Sequence, residues 1–393
     1  MTTTAPTTGP ARFSAQEMER RAELARELMD RSELDALVLY GSGGSTANIR
    51  WLCGHEELVV GYLVMPREGE PLLLVSYLNH LPNARELSTV RAEWGGFHPA
   101  EAVAEHLRAC GARRAGLVGV DSAFELGMPY AHHDRLRAGA PGVELVDATA
   151  AFEALPIVKS EEEIELLRHA ARLTDDGFAA LVAAARPGVA EYELVAACEH
   201  AYRRQGGELG ISFIRTMPMD APTGCVPAQR ASARRLERGD VIVTELSAGW
   251  EGYSGQVLWP IFVGADPTPE WQRMFDAALE TLHALERAVR HGATIADAVA
   301  AAEPIRRIDH TIYDDLLHGL GIGLHPPFLG PDEFERPPAD GGMRFERGMP
   351  VVLQPNPITR DERTGIQLGG LAIVRDDGVE RLQNLPGAPI VVG

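Results

Sequence analysis

Long apolar runs are missing from this chain. No stretch of about 20 apolar residues occurs, which excludes a membrane-spanning helix of ordinary length. The first residues, MTTTAPTTGPA, lack a basic segment followed by an apolar one. They do not read as a secretory signal, and residues 1–11 are expected to be a short disordered leader. Cysteine is scarce: Cys53, Cys110, Cys198 and Cys225 are scattered through 393 residues without CxxC spacing. That usage fits buried, reduced thiols in a cytoplasmic protein. Positive charge is in deficit too, with 37 Lys and Arg against 56 Asp and Glu, a net charge of −19. Such a balance argues against nucleic acid or an anionic membrane surface as a partner. The glycine-rich GSGGS at Gly41–Ser45 is not followed by GK[ST], so it is not a phosphate-binding loop.

What remains is an ordinary globular composition, 45 % apolar and 24 % charged, long enough for two or three domains. Residues 12–155 alternate short β-rich runs (Ala36–Gly41, Leu58–Pro66, Pro71–Tyr77, Ala115–Asp121) with helical spacing over Ser14–Arg31 and Pro99–Cys110. The pattern predicts an α/β domain. Near Ala154–Ser160 the chain reaches a helix start, with Ser160 as N-cap and Glu163 three residues on. Helices are then expected at Glu191–Gln205, Glu270–Arg290 and Ile295–Glu303, ahead of a strand-rich C-terminal third, so that residues 156–393 form an α+β domain.

Four segments of that second domain carry chemistry: VIVTELSAGWEGYSGQVLWPIFVG from Val241, HGLGIGLHPP from His318, VVLQPNP from Val351 and TGIQLGGLAIV from Thr364. In order and spacing they resemble the catalytic half of the creatinase/prolidase/methionine-aminopeptidase family, the "pita-bread" fold. The opening ELDALVLYGSGGSTANIRWLCG is similar to the creatinase-type N-terminal domain, so the resemblance spans nearly the whole chain after the leader. In metal-dependent members those four segments supply two Asp, a His and two Glu. Here the corresponding positions are Glu245, Gln256, His318, Gln354 and Gly369. One carboxylate remains where about four negative charges hold two divalent ions, and no metal or other cofactor is expected.

His318 and His325 lie seven residues apart with three glycines between, the spacing of the two site histidines of the family. The resemblance to creatinase, which works without metal, makes His318 the general acid or base, and His325 a substrate contact or a structural residue. Glu245, on a strand among apolar neighbours, is expected to have a raised pKa and to move a proton or hold a cationic group; its other reading is a hydrogen bond to Gln256 as architecture. Gln256, Gln354 and Tyr253 are candidates to orient a small polar substrate. Trp259 either narrows the pocket or belongs to the core. Arg50 and Trp51 are candidates to reach a neighbouring subunit's pocket, since the family commonly forms homodimers with the site near the interface. The glutamates with which creatinase grips its guanidinium fall at Leu258 and Gly369, so creatine is not the expected substrate.

These features converge on a metal-independent hydrolase or lyase acting on a C–N bond of a small nitrogenous substrate. A positioned histidine contributes about 10²–10⁴-fold, which favours a substrate with a good leaving group. The alternatives are an Xaa-Pro aminopeptidase or prolidase-like metallopeptidase, and a non-catalytic binding relative.

Overall fold

A computed structural model describes residues 13–43, 46–56, 59–121 and 127–393. The expected leader, the end of GSGGS and the start of the Leu58 run lie outside the described residues. The chain divides into two compact units, with the break between Pro156 and Ile157.

The first unit is α/β. Six strands, β1 (Ala36–Ser42), β2 (Val60–Pro66), β3 (Leu72–Val75), β4 (Arg91–Trp94), β5 (Arg114–Val118) and β6 (Glu144–Asp147), form one sheet in the order β4-β3-β2-β1-β5-β6. The central β1 is buried along almost its whole length, which explains its continuous apolar run. The edge strands β4 and β6 are short and mostly uncovered, and their RAEW and ELVD sequences carried no strand signal. Short helices at Ala47–Cys53, Leu81–Leu87, Tyr130–Gly139 and Thr149–Glu153 were also not anticipated.

Trp51 belongs to the core of this unit. Its indole is buried, its ring lies edge-on to Phe152, and its carbonyl accepts a hydrogen bond from Arg21. The expectation that Trp51 reaches a pocket is therefore corrected: a buried indole is committed to packing. Arg50 pairs with Glu56 at 2.8 Å.

The second unit opens with the helix Glu161–Ala184. Ser160 and Glu163 close a capping box, each side chain taking the other's backbone N–H. Its sheet contains eleven strands: β7 (Glu208–Pro218), β8 (Asp240–Trp250), β9 (Tyr253–Ser254), β10 (Val257–Leu258), β11 (Ile261–Val263), β12 (Leu317–Gly321), β13 (Gly323–Leu329), β14 (Pro350–Leu353), β15 (Gly369–Val374), β16 (Val379–Arg381) and β17 (Ile390–Val392). The main path runs β13-β12-β14-β15-β10-β8-β11-β17. The helix Pro269–Ala288 buries Trp271, Met274, Phe275 and Leu282 in the same core as Val241, Val243 and Trp259.

Among the described residues no helix is long and apolar enough to cross a membrane. Of the four cysteines, Cys110 is exposed, against the expectation that all are buried. It follows the helix Pro99–Ala109 as its C-cap, where a side chain meets solvent.

Candidate active site

Glu245 stands near the middle of β8, opposite Phe213 of β7. β8 pairs with β7, β9, β10 and β11, so almost every residue on it is buried. A carboxyl placed there loses hydration. Burial first, then the nearby Asp314 and Asp315 charges, push Glu245 up to about 8, so at neutral pH it holds its proton. The Gln256 amide, just ahead of β10, donates to Glu245 Oε1 at 3.0 Å and lies 3.3 Å from Gln354 Oε1. Gln354 follows β14 and donates through Nε2 to the Asp315 carbonyl at 2.9 Å. The two amides thus carry a hydrogen-bonded chain from Glu245 to the turn before β12.

His318 lies on β12 and interacts with the Gln354 side chain. Its Nδ1 is 3.1 Å from the Gly319 carbonyl. A carbonyl only accepts, so Nδ1 carries the proton and Nε2 keeps its lone pair in the neutral ring. Burial holds His318 below the usual imidazole range, against weaker upward pulls from the Gly319 carbonyl, Asp314 and Gln354. Glycine at 319 is needed by a bulge in the pairing with β13, because a side chain there would strike the His325 and Pro326 carbonyls.

His325 is buried on β13, and its neighbours are Lys159 and the Ile322 backbone. Burial, followed by the Lys159 ammonium, holds it well below the usual range, which keeps it neutral. Tyr253 is committed elsewhere than the site. Its buried hydroxyl donates to Glu163 Oε1 at 2.8 Å, joining β9 to the capping box of the first helix. Trp259 is core: its indole N–H donates to the Ala388 carbonyl and its ring lies edge-on to Phe275. The readings of Tyr253 as a substrate contact and of Trp259 as a pocket wall are corrected on those contacts.

Gly369 opens β15 at φ +135°, a conformation side chains rarely adopt. A Cβ built on it would collide with the Leu353 carbonyl oxygen. Main chain of β14 therefore fills this position, and the missing side chain has left no vacancy.

Two acids beside the site escaped the sequence reading. Asp314 and Asp315 occupy the turn before β12 and are half-buried. Asp314 Oδ2 accepts from Gln367 Nε2 at 3.2 Å, and Asn356 Nδ2 lies 3.3 Å from the Asp315 carbonyl. Burial, then Asp314 and Glu333, push Asp315 up to about 6. The available signal was the pair of adjacent acids three and four residues ahead of His318.

Residues 165–376 match the Metallopeptidase family M24, and residues 21–158 match the Creatinase/Prolidase N-terminal domain. The chain belongs to the M24 family. Among its M24 relatives, the Xaa-Pro dipeptidase of Pyrococcus horikoshii is 22 % identical over 373 residues, covering 93 % of this chain and 97 % of that protein. The probable dipeptidase PepE of Mycobacterium tuberculosis is 26 % identical over 403 residues, covering 98 % and 99 %. In fold the chain is similar to the crystal structure of the P. horikoshii prolidase (TM-score 0.78, 22 % identity, 93 % and 98 % covered). It is equally similar to that of an X-Pro aminopeptidase from Thermotoga maritima (TM-score 0.80, 20 % identity, 94 % and 99 % covered). Both domains, the creatinase-type N-terminal α/β domain and the M24 pita-bread domain, are as the motifs implied.

The M24 metal pair does not fit the donors present. Glu245 is the one carboxylate at those positions, two positions are neutral amides bonded to each other, and the fifth is main chain. Among the described residues no group of three or more His, Cys, Asp or Glu side chains could hold a metal ion. Hard divalent cations need several charged or carbonyl oxygens converging on one point.

Proposed function

We propose that this M24 protein hydrolyses a C–N bond in a small nitrogenous substrate by proton transfer, without the metal pair of its family. The observation that carries the reading is the Glu245–Gln256–Gln354 hydrogen-bond chain, which occupies the ligand positions and ends beside neutral His318. In the reaction, water oxygen bonds to the substrate carbon while His318 Nε2 takes the water proton. The tetrahedral adduct then expels nitrogen as Glu245 gives that nitrogen its proton. His318 returns the first proton to Glu245, which restores both groups and leaves acid and amine as products.

A second reading is favoured by the end-to-end likeness to proteins named Xaa-Pro dipeptidase and prolidase. On that reading the chain cleaves Xaa-Pro peptides with bound metal. One preparation decides between them: metal content by mass spectrometry after incubation with Mn²⁺, Co²⁺ or Zn²⁺, together with turnover of Xaa-Pro dipeptides. Less than about a tenth of an equivalent of metal supports the first reading. Near two equivalents, with metal-dependent Xaa-Pro cleavage, overturns it.

A further inference from the structure

The turn before β12 presents negative charge with no basic partner. The charges of Asp314 and Asp315 act on Glu245, and neither aspartate forms a salt bridge to Lys or Arg among the described residues. Asp314 is held by the Asp315 backbone N–H and by Gln367, both neutral donors. A second, independent observation sits in the same place. Gln367 and Asn356 are almost fully buried, at 0 % and 1 % exposure, and their amide nitrogens go to Asp314 and to the Asp315 carbonyl. Their amide oxygens, Gln367 Oε1 and Asn356 Oδ1, have no donor. A buried acceptor costs stability until a donor reaches it.

Acidic and acceptor-only groups together call for a ligand that brings several N–H donors and a positive charge. A metal ion does not meet that need, because these carboxylates do not converge as ligands. Ammonium, amidinium and guanidinium groups do: each carries charge and directional N–H donors.

We propose that the substrate enters this site by a cationic nitrogen group seated on Asp314 and Asp315, with the Gln367 and Asn356 amide oxygens as its neutral acceptors. This names the substrate class for the hydrolytic reading above and rests on it. Asp314 and Asp315 hold the substrate and are binding residues; the proton transfers stay with His318 and Glu245.

The test is a binding measurement that needs no turnover. Methylguanidinium and its neutral counterpart methylurea are titrated by calorimetry at pH 7 into the full chain and into Asp314→Asn, Asp315→Asn and Asp314→Glu. Melting curves recorded alongside establish that each variant is folded. The expected result is at least tenfold preference for methylguanidinium in the unaltered protein. Each Asn variant should lose at least tenfold affinity for it, and Asp314→Glu should recover most of that loss. Equal binding of methylurea and methylguanidinium, no binding of either, or full affinity in both folded Asn variants overturns the proposal. Those outcomes leave the metal assay untouched, so failure here and failure of the hydrolytic reading are told apart.

Discussion

Replacing Gly369 with alanine tests whether the fifth metal position has been closed by the main chain or merely emptied. At φ +135° an L side chain is strained, at a cost of about 1–3 kcal/mol. The new Cβ must also force apart the β14 and β15 backbones at Leu353, an overpacking cost of about 1–3 kcal/mol. Together these amount to about 2–6 kcal/mol, which for a unit of this size lowers the melting temperature by roughly 5–20 °C. Gly387 supplies the control. It has φ +74° and open space where its Cβ would be, so its alanine variant reports the cost of the left-handed backbone alone, about 1–2 kcal/mol. Melting scanned by circular dichroism, with urea unfolding as a second probe, gives both numbers. If Gly369→Ala is no less stable than Gly387→Ala, the close approach to Leu353 is wrong. The position is then a simple vacancy, and Gly369→Glu combined with Gln256→Asp and Gln354→Glu should recruit divalent metal.

Glu245 gives a pH signature with a definite sign. Its carboxyl is raised from 4.5 to about 8 in the folded chain, so the stability tied to its proton is fully present below about pH 4.5 and is lost as pH rises through about 8. Between pH 5 and 9 the melting temperature of Glu245→Gln should climb relative to the unaltered protein; a constant difference across that range refutes the raised pKa. Tyr253→Phe removes the hydroxyl that donates to Glu163 and should destabilise by about 1–2 kcal/mol in urea unfolding with KM unchanged. A raised KM at unchanged stability would return Tyr253 to the substrate site.

The chain's spacing was enough to bring some site residues together. Glu245 and Gln256 are eleven residues apart, flanking a tight return from β8 to β10, and the fold places the Gln256 amide 3.0 Å from Glu245 Oε1. The capping box at Ser160 and Glu163 was equally plain, because it is a local pattern satisfied by local hydrogen bonds. What could not be read was decided by contacts distant in sequence. Tyr253 looks like any polar site residue until Glu163, ninety positions earlier, captures its hydroxyl. Trp259 is indistinguishable from a pocket wall until Phe275 and the Ala388 carbonyl close on it. Gly369 shows in sequence only as an absent glutamate; that the Leu353 carbonyl lies against it is a property of the β14–β15 ladder. Asp314 and Asp315 gain meaning only once the sheet brings their turn beside Glu245.

The state of the hydrogen bonds argues that this site has been rebuilt. Loss of metal by decay would leave its former ligands as isolated buried polar groups, each costing stability. On the β8–β14 side the opposite holds: Gln256 donates to Glu245 and approaches Gln354, and Gln354 passes the chain on to the Asp315 carbonyl. Such connected networks fix side-chain positions and lower the cost of burial. At the acidic turn, by contrast, Gln367 Oε1 and Asn356 Oδ1 have no donor. The side chains at the former ligand positions are bonded to one another, whereas these two acceptors lack donors. On the reading proposed above, the substrate supplies the donors that this second set lacks.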